Sequence, residues 1–369
     1  MSAPTILRHI HLPDITPFAL AQSLQSHLVT KFLAHKALIS STNPPPNPPP
    51  NLPPAPIPTI LTFVPTPVYT TGRREHDSLT PAQISLLKAP LLPEKKSWYN
   101  PRQQSEWADI VQTLRGGQTT FHGPGQLVIY PILDLKSQFP EWKRGLSVRC
   151  YVNLLEQATI NTLDTWGLKG IRTENPGVWE EEGERKIAAL GVHLRRNITS
   201  YGVGLNVTTD LRWFERIVAC GLVGKGVTSM SQLGGEKKLW RGGSPGREAS
   251  QKWAKWILGD GEEDRGQEIE MAEDGRWNTK TKTAKQLRAR MKPSIVGRAW
   301  VREFAKGLYG EGGEEKVQKV DLKDMEDVDD EILGPLVQRR RRRIIPEGEE
   351  ELLRFGEEEL RRELLRGHN

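Results

Sequence analysis

Three pieces of this chain carry residue types suited to chemistry: a lysine at 186, a cysteine at 220, and a glycine-rich stretch from Arg115 to Gln126. A thiol becomes a useful nucleophile when a neighbour stabilises its thiolate, and an ammonium does that well. A lysine that later gives up its proton can act as base toward an incoming amine. The stretch Arg115-Gly116-Gly117-Gln118-Thr119-Thr120-Phe121-His122-Gly123-Pro124-Gly125-Gln126 carries four glycines, an arginine and a histidine. Such a loop presents several backbone N–H groups at one place, which suits an anion, a phosphate or a developing oxyanion. Taken singly, each piece has an ordinary reading as well. Lys186 reads as a strand-end lysine beside Glu184, Cys220 as a small buried hydrophobe, and His122 as a residue that holds its own loop by hydrogen bonds.

The elements that must position these residues follow from periodicity. Leu127 to Leu135 is apolar on both faces, so it reads as a buried strand, with Pro131 marking a bulge or an edge. Ile6 to Leu12 alternates like a half-buried strand. Thr16 then reads as an N-cap and Pro17 as the first residue of a helix with Phe18, Ala21, Leu24, Leu28 and Phe32 on its apolar face. Thr59 to Val64 is a strand, and Val68 to Arg74 is an extended piece ending in the basic pair Arg73-Arg74, which could meet an anionic partner. Ser147 to Trp166 has a strong helical stripe, and Cys150 in its first turn reads as packed and inert. Gly177 to Trp179 and Arg185 to Leu194 read as paired strands around the acidic turn Glu180 to Glu184. Tyr201 to Val207 is another strand, with the polar Asn206 among apolar neighbours. Strands returning after one long helix, without strict βαβ alternation, predict an α+β fold with a mixed, largely antiparallel sheet flanked by helices.

The chain has 369 residues, 36% hydrophobic, with a mean hydropathy of −0.54, so the core should occupy only part of its length. Residues 1–233 are expected to form the catalytic domain. The proline-rich stretch 43–58 reads as a polyproline-type loop insertion within it. Residues 234–369 read as a charged, largely disordered extension with weak helix signals at Gln251 to Leu258 and Ile295 to Leu308. Its five-arginine run, Arg339 to Arg343, reads as a solvated charge block. A net charge of +6 with acids and bases both abundant argues as well for an acidic protein partner as for nucleic acid. Two cysteines make neither a disulfide framework nor a zinc site, and no apolar run approaches a membrane span, so a soluble chain in a reducing compartment is expected.

The motifs Arg115-Gly116-Gly117-x-x-Thr120-Phe121-His122-Gly123-Pro124-Gly125-Gln126, Lys186-Ile187-Ala188-Ala189-Leu190-Gly191, Gly202-x-Gly204-Leu205-Asn206 and Ala219-Cys220-Gly221-Leu222, with Thr228-Ser229, resemble the lipoyl(octanoyl) transferases in order and spacing over about residues 5 to 232. The proline insert, the acidic turn and the C-terminal extension depart from that pattern. The resemblance implies the fold of the biotin and lipoate protein ligase catalytic domain. It implies transfer of an octanoyl group from octanoyl-acyl carrier protein to a specific lysine of a lipoyl carrier domain, with no cofactor and no metal. Cys220 would carry the acyl group as a thioester. Lys186 would lower the thiol's pKa and then deprotonate the incoming lysine. Arg115, Gly116, Gly117, Gln118, Thr119, Thr120, Phe121 and His122, with Ala189, Leu190, Gly191, Gly202, Val203 and Gly204, would line the acyl pocket. An apolar groove suits an eight-carbon chain, each buried methylene contributing roughly 0.8 kcal/mol. The acceptors implied are lipoyl domains of 2-oxoacid dehydrogenase E2 subunits and the glycine cleavage H protein. The resemblance further implies a monomer that binds no nucleic acid and no membrane. Its place would be mitochondrial in a eukaryote and cytoplasmic in a bacterium. An ATP-dependent lipoate or biotin ligase, or a catalytically idle carrier-binding scaffold, would be alternatives on the same fold.

Overall fold

A computed structural model describes residues 5–41, 54–75, 77–91, 106–217, 224–236, 291–325, 328 and 330–341. In chain order its strands are β1 (Leu7–Thr16), β2 (Thr59–Pro65), β3 (Val68–Thr71), β4 (Asp109–Gln112), β5 (Thr120–His122), β6 (Gln126–Ile132), β7 (Gly170–Ile171), β8 (Val178–Glu180), β9 (Arg185–Arg195), β10 (Ile198–Asn206), β11 (Gly226–Val227) and β12 (Val317–Lys319). The helices are α1 (Phe18–Ser41), α2 (Pro81–Lys88), α3 (Val148–Thr165), α4 (Met230–Glu236), α5 (Pro293–Tyr309) and α6 (Asp330–Arg341). Nine strands make the main sheet, in the order β12-β1-β2-β6-β10-β9-β8-β7 with β11 beside β9. The pairs β1–β2, β1–β12 and β9–β11 are parallel and the others antiparallel. A second sheet, β4-β3-β5, carries the end of the glycine-rich stretch. This is the mixed α+β arrangement expected from the sequence.

Two cores cover the main sheet. On one face Leu127, Ile129, Val203 and Leu205 pack with Tyr151, Leu155 and Ala158 of α3 and with Trp300 and Phe304 of α5. On the other, Leu61, Phe63, Val128 and Tyr130 pack with α1 through Phe18, Ala21 and Leu24, and with Leu333 and Leu336 of α6. Ser147 caps α3, its hydroxyl accepting from Cys150 N at 3.1 Å. Cys150 itself is half-exposed rather than packed.

Several expectations need correction. The domain does not end at 233. Helix α4 follows, and residues 291–341 add α5, β12 and α6 to the same body. Trp300, Val301, Phe304, Ala305 and Leu308 are wholly buried, and β12 extends the sheet alongside Leu7–His9. The polar stretches around this segment dilute its average hydropathy, but α5 alone has a sharp apolar face. The helix signal at Ile295 to Leu308 is thus a core helix. Its Gly307 lets it approach α3 closely, since a β-carbon there would lie 2.2 Å from Leu154 Cδ1. The signal at Gln251 to Leu258, the proline tract up to residue 53 and the end of the arginine run lie outside the described residues. Thr16 does not cap α1: it ends β1, and its hydroxyl donates to Pro13 O at 3.0 Å. Pro131 sits in an interior strand rather than at an edge. Its missing N–H is tolerated because the β10 ladder with β6 stops at Val203–Ile129. There Tyr201 turns to φ 58°, and the Thr199 hydroxyl takes up Pro131 O at 2.8 Å.

Candidate active site

Strands β9 and β10 form the floor of the site. Gly202 registers with Gly191 and Gly204 with Ala189, while Val203 registers with Leu190 between them. Alternation sends these two sets to opposite faces. Gly191 faces Arg115 and Gly116 of the loop that follows β4, Gly204 faces His122 and Gln126, and a β-carbon on Gly202 would lie 2.3 Å from Ile129 O of β6. Val203 and Leu190 point into the core beneath α3 and α5, so their side chains do not line the same space as the rest of the expected pocket.

Lys186 reaches the floor by a local irregularity. The ladder pairs Val178 with Ala188 but Trp179 with Lys186, so two residues of β9 oppose one step of β8. Such a bulge re-aims the side chains on either side of it. Ile187 and Ala188 both enter the α3-side core, and Lys186 is thereby turned to the face that carries Ala189. The Lys186 ammonium donates to Pro176 O at 3.0 Å and lies over the Trp179 ring, 4.8 Å from its centroid. Its stem packs on Gly177, where φ is 127° and a β-carbon would lie 3.2 Å from both Cδ and Cε. Glu184 does not pair with it but meets Lys225 at 2.8 Å. Among the described residues Lys186, though buried, holds no carboxylate. A buried cation satisfied by one carbonyl and one aromatic face retains attraction for an anion that arrives later.

Arg115 clamps the loop over this floor. Its guanidinium donates to the Thr70 carbonyl, to Thr70 Oγ1 at 2.9 and 3.2 Å, to Gly116 O at 3.1 Å and to Gln118 O at 2.8 Å. Gly116 N donates to Val192 O at 3.0 Å, tying the loop to β9. Thr119 donates from its backbone N–H and from its hydroxyl (2.6 Å) to the Glu75 carboxylate. Gly117 adopts φ 88°, and its carbonyl approaches so near Gly72 that a β-carbon on Gly72 would lie 2.1 Å away. Thr120, Phe121 and His122 then enter β5, all buried. Phe121 stacks on Trp213, rings 5.0 Å apart, in the core of the second sheet, so it supports the pocket from behind. His122 stacks on Phe18 of α1 at 6.0 Å and stands above Gly204, where a β-carbon would lie 3.3 Å from its Cε1. Burial, and then the Arg115 charge, push its pKa down to about 4 against the opposing hydrogen bond of Gln126.

Cys220 lies outside the described residues, so its distance from Lys186 is not a structural observation. The flanking chain is described. The 3₁₀ turn Leu211–Arg216 precedes it, and β11 follows, with Val227 in register with Lys186 and Thr228 N donating to Lys186 O at 3.0 Å. Sequence reading passed over four residues with a part in the site: Gln126 and Asn206, which link β5, β6 and β10, Trp179 under the lysine, and Glu75 on the loop. Asn206 did carry a signal, as a polar residue in a buried strand.

Comparison with known proteins places the chain in a family. Residues 54–239 match the lipoyl protein ligase A/B catalytic domain. The chain is 46% identical over 213 residues to a protein of Schizosaccharomyces pombe named probable octanoyltransferase, covering 58% of this chain and 79% of that one. It is 43% identical over 189 residues to the mitochondrial octanoyltransferase of Saccharomyces cerevisiae, covering 48% and 53%. It is 43% identical over 169 residues to the human mitochondrial octanoyl-acyl-carrier-protein:protein N-octanoyltransferase, covering 45% and 62%. The last two matches thus span between half and two thirds of their relatives' length. Among solved structures, a bipartite lipoate protein ligase of Thermoplasma acidophilum aligns over 90% of this chain and 91% of its own at 12% identity, with a TM-score of 0.40, too distant to inform the site. The profile match across half the chain, together with the fission-yeast alignment, shows that this chain belongs to the lipoyl protein ligase A/B catalytic domain family.

Proposed function

We propose that this chain transfers an octanoyl group from octanoyl-acyl carrier protein to a lysine of lipoyl domains, by way of a thioester on Cys220. The observation that carries the reading is the buried Lys186 amine, held by the Pro176 carbonyl and the Trp179 ring and paired with no carboxylate among the described residues. The described chain resumes four residues after Cys220 and is in register with Lys186 three residues later. In the first step the Cys220 thiolate, stabilised by the Lys186 ammonium, attacks the thioester carbonyl carbon. The carrier thiolate leaves and takes its proton from Lys186. The acceptor amine then attacks the enzyme thioester, the carbon–sulfur bond breaks, and Cys220 leaves as thiolate. The extra proton on the new amide nitrogen passes to Lys186, which restores the starting ion pair. Both halves exchange one activated acyl bond for another or for an amide, so no nucleotide is consumed. Hydrolysis is the reaction to exclude, which calls for a site kept dry while the thioester stands.

Arg73, Arg74 and Arg195 are exposed beside the loop, and the charges of Arg73 and Arg195 hold the His193 pKa below its usual value after burial. This basic rim suits the acidic carrier as a docking contact. The acceptors proposed are lipoyl domains of 2-oxoacid dehydrogenase E2 subunits and the glycine cleavage H protein, the enzyme acting as a monomer. The Saccharomyces cerevisiae and human relatives are named as mitochondrial, and the same compartment is proposed for this chain in a eukaryotic source. Intact-mass analysis after incubation with octanoyl-acyl carrier protein tests the reading. One octanoyl increment is expected on the native chain and none on Cys220→Ala. An increment that persists in the variant, or a transfer that requires ATP, would overturn it.

A further inference from the structure

A chain of buried polar groups runs from the lysine strand to His122, and its hydrogen bonds leave no choice of orientation. Asn206 Nδ2 donates to the Thr228 carbonyl at 3.0 Å, so Asn206 Oδ1 is the atom that faces Gln126. Gln126 Nε2 meets that oxygen at 2.8 Å and the Phe121 carbonyl at 3.2 Å. Both are acceptors only, which fixes the amide of Gln126. Its Oε1 therefore faces His122 Nδ1 at 2.6 Å, and Nδ1 must carry the proton. A neutral imidazole protonated at Nδ1 has a bare lone pair on Nε2. Among the described residues nothing donates to that nitrogen. The ring stands over Gly204, opposite Ala189, three residues along β9 from Lys186, or about 10 Å at the usual strand rise.

We propose that Gln126 and Asn206 are positioning residues that lock His122 in its Nδ1–H tautomer, so that Nε2 accepts an N–H of the attacking acceptor amine. This rests on the transfer reaction proposed above and adds to it how the amine is oriented. An amine attacks through its lone pair, and an acceptor on one of its N–H groups aims that lone pair at the carbonyl carbon. His122 is too weak a base to remove the proton, which is left to Lys186. The groups facing the ring are Phe18 from α1, Gln126 from β6, the Gly204 backbone from β10 and the Arg115 charge from the loop. None of them competes for the Nε2 lone pair.

The test replaces Gln126 by glutamate, which puts a carboxylate against Nδ1. Its second oxygen then faces the acceptors Asn206 Oδ1 and Phe121 O, a loss that falls on both half-reactions alike, so the readout is the pH limb of each and not its height. A carboxylate at that range raises a histidine pKa by about 1–3 units. Imidazolium then forms at higher pH, and Nε2 becomes a donor. The acid limb of kcat/KM for the lipoyl-domain acceptor should move up by at least one pH unit in Gln126→Glu. The acid limb of octanoyl-enzyme formation, read by intact mass, should stay at its native pH. A merely structural role would slow both half-reactions at every pH. An acid limb that stays put, or one that moves equally in both half-reactions, would overturn the proposal. Nitrogen-15 spectra of the native chain without substrate give a second reading that does not depend on the variant folding. Protonated Nδ1 and bare Nε2 at neutral pH are expected for His122, and the opposite tautomer would sink the assignment. Because those spectra need no turnover, a native chain that forms no octanoyl-enzyme would count against the transfer reaction and not against the tautomer.

Discussion

Trp300→Ala tests whether the C-terminal segment belongs to the cooperative body of the domain. Trp300 of α5 is wholly buried. Its indole N–H donates to Thr159 Oγ1 of α3 at 2.8 Å, and its ring stacks on Phe304 with centroids 5.0 Å apart. Removing a buried tryptophan side chain costs about 3–5 kcal/mol through lost burial and the cavity left behind. The hydrogen bond adds little, about 1 kcal/mol net. The Thr159 hydroxyl keeps its own bond to Leu155 O at 2.8 Å and is not stranded. The expected loss is thus about 4 kcal/mol, a large share of the roughly 5–15 kcal/mol typical of a domain. Urea denaturation followed by circular dichroism should show a lower midpoint with an unchanged slope. Helix α5 packs on the face of the sheet opposite the glycine floor, so kcat/KM measured well below the midpoint should stay within about threefold of native, a change worth less than 1 kcal/mol in the barrier. A destabilisation under about 1 kcal/mol would refute the reasoning, because it would mean that α5 is not docked where the structure places it.

Other perturbations probe the site and the core separately. Lys186→Met keeps the length of the side chain and removes the charge; acyl transfer in a steady-state assay should fall by about 10²–10⁴-fold. Gly72→Ala would bring a β-carbon within 2.1 Å of the Gly117 carbonyl, and the loop must shift; a lower thermal midpoint equivalent to about 1–3 kcal/mol is expected, with a raised KM for the acyl donor. Burial is the main reason that the His9 and His11 pKa values fall to about 3 and about 4, and His122 also falls to about 4. A folded pKa below the unfolded one means that the unfolded chain binds protons first, so stability falls as pH drops below about 6.5, by about 1.4 kcal/mol per unit for each histidine. Urea midpoints across that range should show the decline, and His9→Gln should make it shallower by about one proton.

The fold class was legible because its main elements obey simple periods. The α3 stripe, the β8–β9 hairpin and the doubly apolar β6 are all local patterns. The glycine-rich loop was legible for the same reason, since four glycines, Arg115 and His122 lie within twelve residues. What escaped depends on pairing between distant strands. Nothing local in Lys186-Ile187-Ala188 announces the bulge with Val178 and Trp179 that turns the lysine toward Ala189. The same alternation error put Leu190 and Val203 in the pocket, because a motif read as a block ignores that every second residue faces away. Helix α5 was discounted because its neighbours are highly charged, and only a weak helix signal was read at Ile295 to Leu308.

The glycine floor explains why the loop must be clamped by so many bonds. A β-carbon at 191 would lie 3.0 Å from Arg115 Cδ and 3.2 Å from Gly116 O, and one at 204 would lie 3.2 Å from Gln126 Oε1. The loop therefore rests on the floor at Gly191, and the Gln126 side chain of β6 rests on it at Gly204. Strands this poor in side chains contribute little packing of their own, so the apolar surface of a buried acyl chain would have to supply part of what alanine or valine would otherwise give. The loop, which receives no such contact from the floor, is held instead by the Arg115 carbonyl cluster, by Glu75 on Thr119 and by Gly116 on Val192. Polar bonds fix the roof and small residues open the space. A substitution that widens Gly191 should therefore act first on the loop and lower the thermal midpoint, since its β-carbon meets Arg115 and Gly116 before it meets a substrate.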